Sequence, residues 1–117
     1  MRTIELGRAG EDIAAAYLRS RGMHVVGRNW RCPAGEIDLV AIDGAWLVVC
    51  EVKTRRSLVA GEPVEAVTPD KVRRLRRLAL AWIEAHDGPR RTVRIDVVSV
   101  WWPSSGPAVV RHVKWVG

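Results

Sequence analysis

Residues Gly35 to Arg56, GEIDLVAIDGAWLVVCEVKTRR, set three charged side chains into an apolar background suited to buried β-structure. Asp43-Gly44 marks a tight turn, because both central positions of a two-residue primed hairpin loop need positive φ. On either side the apolar residues run almost unbroken, from Ile37 to Ile42 and from Trp46 to Cys50. Runs of this kind suit strands covered on both faces. Asp38, Glu51 and Lys53 interrupt them, and such charges are costly to bury unless paired or bound to metal.

The turn sets a register. With Asp43 and Gly44 as the loop, Ile42 faces Ala45, Val40 faces Leu47 and Asp38 faces Val49. Side chains alternate along a strand, so Asp38, Glu51 and Lys53 share one face. Asp38 and Glu51 become diagonal neighbours, roughly 7–8 Å apart at the backbone, close enough for both to reach one cation. A loop longer by two residues keeps that shared face, whereas a one-residue slip destroys it. From spacing alone Lys53 reads as an ion-pair partner of Glu51 or Asp38. Glu36 falls opposite Glu51, and either supports the site or serves the turn beside Gly35.

A chain of 117 residues is expected to form one domain, residues 1–117, with a single two-layer core. No apolar run approaches the ~18 residues of a membrane span, and the N-terminus lacks the apolar region of a signal peptide. A cytoplasmic protein with no membrane partner is expected. Cys32 and Cys50 make no disulfide framework, no His or Cys spacing resembles a zinc site, and both cysteines read as small buried hydrophobes. The net charge of +6 favours polyanions, nucleic acid above all, although an arginine-rich composition alone also produces it.

The first helix is predicted over Leu6 to Arg21, closed by Gly22. Leu6, Gly10, Ile13, Ala14, Tyr17 and Leu18 gather on one arc, with Glu11 at its margin and Asp12 and Arg19 toward solvent. Met23 to Cys32 reads as a strand in which Arg28, Asn29, Trp30 and Arg31 interleave basic groups with an aromatic. That suits phosphate contact and base stacking, and equally a core or strand-edge Trp30. Arg55 and Arg56 lead into a polar loop, Ser57 to Thr68, long enough to fold over the site. Its Glu62 and Glu65 are either solvated acids or neighbours of a metal.

The second helix has the clearest punctuation. Thr68 caps it, Pro69 takes its first position and Asp87-Gly88-Pro89 stops it. Val72, Leu75, Leu78, Ala79, Trp82 and Ile83 make its buried stripe. Lys71, Arg73, Arg74, Arg76 and Arg77 form a positive face, either solvated or a ridge for phosphates. Arg91 to Trp102 and Ala108 to Val116 are strands. A strand, a helix and a further strand imply parallel pairing. The expected fold is thus α/β, a mixed central sheet flanked by helices in the order αβββαββ. Trp101, Trp102 and Trp115 suit either the core or the surface of a homodimer.

Asp38 followed by Glu51-Val52-Lys53 resembles the D-x(n)-E-x-K signature of the PD-(D/E)XK nuclease superfamily. GEIDLVAID and VVCEVKTR, with GRAGEDIAAAYL, GRNW, VTPDKVRRL and RIDVV, are similar to the YraN-like family of small bacterial proteins, related in fold to archaeal Holliday-junction resolvases. The likeness spans nearly the whole chain. It implies a restriction-endonuclease-like core with one added strand, and an endonuclease dependent on Mg²⁺ or Mn²⁺ that acts on branched or distorted DNA. Asp38, Glu51 and the carbonyl of Val52 would hold the metal. Lys53 would orient a water or stabilise the transition state, and Glu11 would assist. Arg28, Arg55, Arg56, Lys71, Arg73, Arg74 and Arg77 would meet the nucleic acid. The alternative is a nucleic-acid-binding protein that keeps this fold without cleaving. A protein-interaction subunit would instead need a large apolar patch, for which the tryptophan hairpin is the candidate.

Overall fold

The computed structural model describes residues 3–56 and 67–116. Helix α1 (Thr3–Ser20) precedes three strands, β1 (His24–Cys32), β2 (Gly35–Asp43) and β3 (Trp46–Arg55). Helix α2 (Pro69–Ala85), β4 (Thr92–Trp101) and β5 (Val109–Val113) follow. The order αβββαββ is the expected one. The strands lie in the sheet in chain order, antiparallel except for the parallel pair β3 and β4 that α2 connects. This mixed α/β arrangement is consistent with a restriction-endonuclease-like core.

Two cores form instead of one, because β2 and β3 send alternate apolar residues to opposite faces. On one face Ala14, Ala15 and Leu18 of α1 cover Leu39, Ala41, Val48, Cys50, Val98 and Val100. On the other, Leu75, Leu78, Ala79 and Trp82 of α2 cover Ile37, Val40, Leu47, Val49 and Ile95. Helix α1 approaches β3 closely at Gly10, where a β-carbon would collide with the Thr54 side chain. Trp30 belongs to the α2-side core, edge-on to Trp82 at 5.5 Å between ring centroids. Cys50 is fully buried and Cys32 packs against the α2-side cluster.

Several boundaries and one register differ from the sequence reading. Helix α1 begins at Thr3, a turn before Leu6, and the last strand covers only Val109–Val113. The cap of α2 is as expected, with Lys71 N–H donating to Thr68 Oγ1 at 3.2 Å, but Ile83 is 36% exposed and lies at the edge of the buried stripe. The hairpin loop is Gly44-Ala45, not Asp43-Gly44, since Asp43 pairs with Trp46 and Ile42 with Leu47. Only Gly44 takes positive φ there (59°), the pattern of a primed turn whose first central residue alone is left-handed. The register therefore moves by two residues, which preserves the facing of the paired residues, Leu39 to Asp43 and Trp46 to Cys50.

A second polar cluster lies on the α1 side, near the hairpin end of the sheet. Arg94 and Asp96, two apart on β4, form a bidentate pair, Arg94 Nε to Asp96 Oδ1 at 2.9 Å and Nη2 to Oδ2 at 3.0 Å. Arg94 Nη1 also donates to Asp43 Oδ2 at 3.0 Å, and His112 Nε2 lies 2.7 Å from Asp96 Oδ2. The Trp115 N–H reaches Asp96 Oδ1 at 3.3 Å, its ring covers the Arg94 guanidinium, and Trp46 packs edge-on against it. Trp115 thus seals a buried charge cluster.

A candidate active site where two strands part

The ladder between β2 and β3 ends at Leu39 and Cys50. Continued one step, the register would set Asp38 directly opposite Glu51, closer than the diagonal relation expected. Instead the strands part, β2 staying with β1 while β3 stays paired with β4 as far as Arg55 and Trp101. Asp38 fills the gap, its Oδ2 accepting the Val52 N–H at 2.9 Å in place of a backbone carbonyl. The alternation of β2 also breaks here, because Ile37 packs toward α2 and Leu39, two residues on, toward α1. Facing this break, between the pairs Trp30–Ile37 and Arg28–Leu39, Asn29 has φ 50°, a left-handed conformation that asparagine tolerates.

Around this break the structure gathers most of the expected catalytic residues. Glu51 is buried, and its Oε1 lies 3.2 Å from Lys53 Nζ and 2.8 Å from Lys71 Nζ. Glu11, on α1, accepts a hydrogen bond from Asn29 Nδ2 at 3.1 Å. Glu36 does not oppose Glu51 but pairs with Arg31 at 3.5 Å. Val52 contributes its amide to Asp38, and its side chain packs toward the α1-side core. Glu62 and Glu65 lie outside the described residues, as does most of their loop.

Burial pushes the Asp38 carboxyl up to about 6, and the negative charges of Glu51, Glu11 and Glu36 add to the rise against the opposing Val52 hydrogen bond. Burial and the neighbouring Lys71 lower Lys53, whereas contacts with Glu51 and Lys53 raise Lys71 against its own burial. Burial also raises the Cys50 thiol well above its ordinary value, with Asp96 and Asp38 adding to it, so this cysteine is no nucleophile.

The Asp38 shift has a measurable consequence. A carboxyl raised in the folded state binds a proton that the unfolded chain releases, so its stabilising contribution is full below about pH 4 and lost as pH rises through 6. In chelator, stability is expected to increase as pH falls from 7 to 5, by on the order of 1 kcal/mol from this group. Urea unfolding across that range checks it, and Asp38→Asn should remove the dependence.

The expected nucleic-acid contacts divide. Arg28 is engaged by Asp12 at 2.6 Å, and Arg73 by Asp70 on the same helix. Arg74 and Arg77 make no ion pair among the described residues. Arg55 and Arg56 close β3, their carbonyls accepting from the Trp102 N–H at 2.7 Å and the Trp101 indole at 3.1 Å. Lys71 leaves the positive face altogether. Its side chain is only 20% exposed because α2 lies over the end of β3 where Glu51 waits. Helical periodicity could not show that contact; the signal for it was that Lys53 alone cannot neutralise both Asp38 and Glu51.

Among the described residues no group of three or more His, Cys, Asp or Glu side chains is placed to hold a metal ion. The expected donor set has two carboxylates, its third ligand being a backbone carbonyl. No helix among the described residues is long and apolar enough to cross a membrane.

A mixed sheet whose central strands part around Asp38 and Glu51, with Lys53 beside them, marks an α/β protein of restriction-endonuclease-like architecture. The chain belongs to the uncharacterised protein family UPF0102, whose family model matches residues 10–100. It is 58% identical over 113 residues to a UPF0102 protein of Kineococcus radiotolerans, covering 95% of this chain and 92% of that one. Another, from Renibacterium salmoninarum, is 51% identical over 118 aligned positions and covers both chains in full. A third, from Streptomyces coelicolor, is 56% identical over 113 residues, 95% of this chain and 87% of the relative.

Proposed function

We propose that this chain is a metal-dependent endonuclease acting on DNA, with branched or distorted structures as its preferred substrates. The observation that carries the reading is that half-buried Asp38 and buried Glu51 stand together where β2 and β3 part. Like charges that raise a carboxyl in this way are relieved by a cation. The donors fit magnesium, which favours a few carboxylate oxygens completed by water and substrate phosphate. Asp38, Glu51 and the Val52 carbonyl would hold the ion. Bound there, it supplies a lowered pKa for water and positive charge against the phosphoryl group.

This chain's own groups do the rest. Lys53, 3.2 Å from Glu51, would stabilise negative charge developing on the attacked phosphate or orient the nucleophilic water. The Val52 amide holds Asp38 in place. Arg74 and Arg77 extend positive charge along α2 and would bind flanking phosphates. Replacing both by Gln is expected to weaken DNA binding and lower the salt slope by about two, one for each lost phosphate contact. Arg73→Gln should do less, because Asp70 already holds that side chain. Fluorescence anisotropy across a salt series measures the slopes, and unchanged slopes would assign this face to solvent.

The pairing of Glu51 with two lysines supports a second reading, a protein that binds nucleic acid through this fold without cleaving it. A gel assay on junctions, flaps, single strands and duplexes, with and without Mg²⁺ or Mn²⁺, separates the two. Metal-dependent products support the nuclease. Binding with every substrate left intact supports the alternative.

A further inference from the structure

Lys71 reaches Glu51 from a different element of the fold. Its Nζ lies 2.8 Å from Glu51 Oε1, and Lys53 Nζ lies 3.2 Å from the same oxygen. The first turn of α2 is fixed by the Thr68 cap, which sets the Lys71 backbone beside the parted strands. With Asp38 and Glu51 ionised, Lys53 and Lys71 bring this group of four to neutrality. A divalent ion added to it would leave two uncompensated positive charges unless an ammonium withdraws or phosphate arrives. Lys53 is held by β3, two residues from Glu51 on the same face. Lys71 reaches across from a helix on a flexible four-carbon stem, so it is the one able to leave.

On the footing of the metal-site reading, we propose that Lys71 is a positioning residue that occupies the cation position at Glu51 Oε1 until a divalent ion displaces it. Lysine and metal then compete for one oxygen, and each lowers the other's hold on it. The competition keeps metal affinity low without substrate. Phosphate of the nucleic acid, by adding negative charge, shifts the balance toward the metal.

Mn²⁺ binding, followed through the electron paramagnetic resonance of the free ion, tests this without reference to cleavage. Lys71→Met is expected to bind Mn²⁺ on the order of tenfold more tightly than the parent protein. Arg74→Met removes the same charge one turn along without touching Glu51, and should leave affinity within about twofold. Lys71→Gln repeats the measurement in case the methionine variant folds poorly. Equal affinity in parent and Lys71→Met, or weaker binding in the variant, would overturn the competition while leaving the metal site intact. Equal gains from Lys71→Met and Arg74→Met would reduce the effect to net charge and overturn it too. No Mn²⁺ binding by either protein, with or without a DNA duplex, would remove the metal-site reading and this inference together.

Discussion

Asp96→Ala is expected to destabilise the protein by about 3–5 kcal/mol, the cost of breaking a buried ion pair from one side. Asp96 is fully buried and accepts from Arg94 twice, from the Trp115 amide and from His112. Its loss leaves the Arg94 guanidinium, 3% exposed, with only the half-exposed Asp43 as an anion. Burial raises the Asp96 carboxyl, but hydrogen bonds from His112 and Arg94 more than offset it and hold the group below the usual carboxylate range. A depressed carboxyl stabilises the fold above about pH 4, and that stabilisation is lost as pH falls through the folded value. This window lies below that of Asp38, so the two are separable. Urea unfolding should show the midpoint fall with little change in slope. Asp96→Leu combined with Arg94→Met should cost less than Asp96→Ala alone, because no charge is left stranded. A fall of less than about 1 kcal/mol in Asp96→Ala would mean that the cluster is solvated.

Glu51→Ala and Lys53→Ala are each expected to reduce metal-dependent cleavage at least about 100-fold, the scale for losing one group aimed at transition-state charge. Neither should unfold the protein. The Lys53 and Lys71 side chains are 25% and 20% exposed, so their ammonium groups can rehydrate when Glu51 is removed. The expected cost is about 1–2 kcal/mol, well below that at Asp96. Circular dichroism melts beside the cleavage rates check both parts. Loss of activity with loss of fold would assign Glu51 a structural role.

Much of this was legible in residues 35–56. Apolar runs placed β2 and β3 at the centre, and the two-residue period set Glu51 and Lys53 on one face whichever two-residue step the turn chose. That insensitivity is why moving the loop from Asp43-Gly44 to Gly44-Ala45 left the facing of the site unchanged. What escaped were contacts between elements distant in sequence. Lys71 has the spacing of a solvated helix face, and only the lie of α2 across β3 turns it onto Glu51. The break at Asp38 was hidden because the residues that meet it, left-handed Asn29 on β1 and the Val52 amide on β3, lie on other strands. Arg94 and Asp96 offered a signal that went unused. Opposite charges two apart in an apolar strand share a face, and a buried face requires them to pair.

The central claim is that Asp38 and Glu51 form a metal-dependent cleavage site. A cleavage time course on a four-way junction and a flap tests it most directly, with parent protein and Glu51→Ala each in EDTA and in Mg²⁺. Product is expected only from the parent in Mg²⁺, with DNA bound but intact in the other three reactions. Cleavage by purified parent in EDTA, cleavage by Glu51→Ala at the parent rate, or bound and uncut DNA in every lane would contradict it.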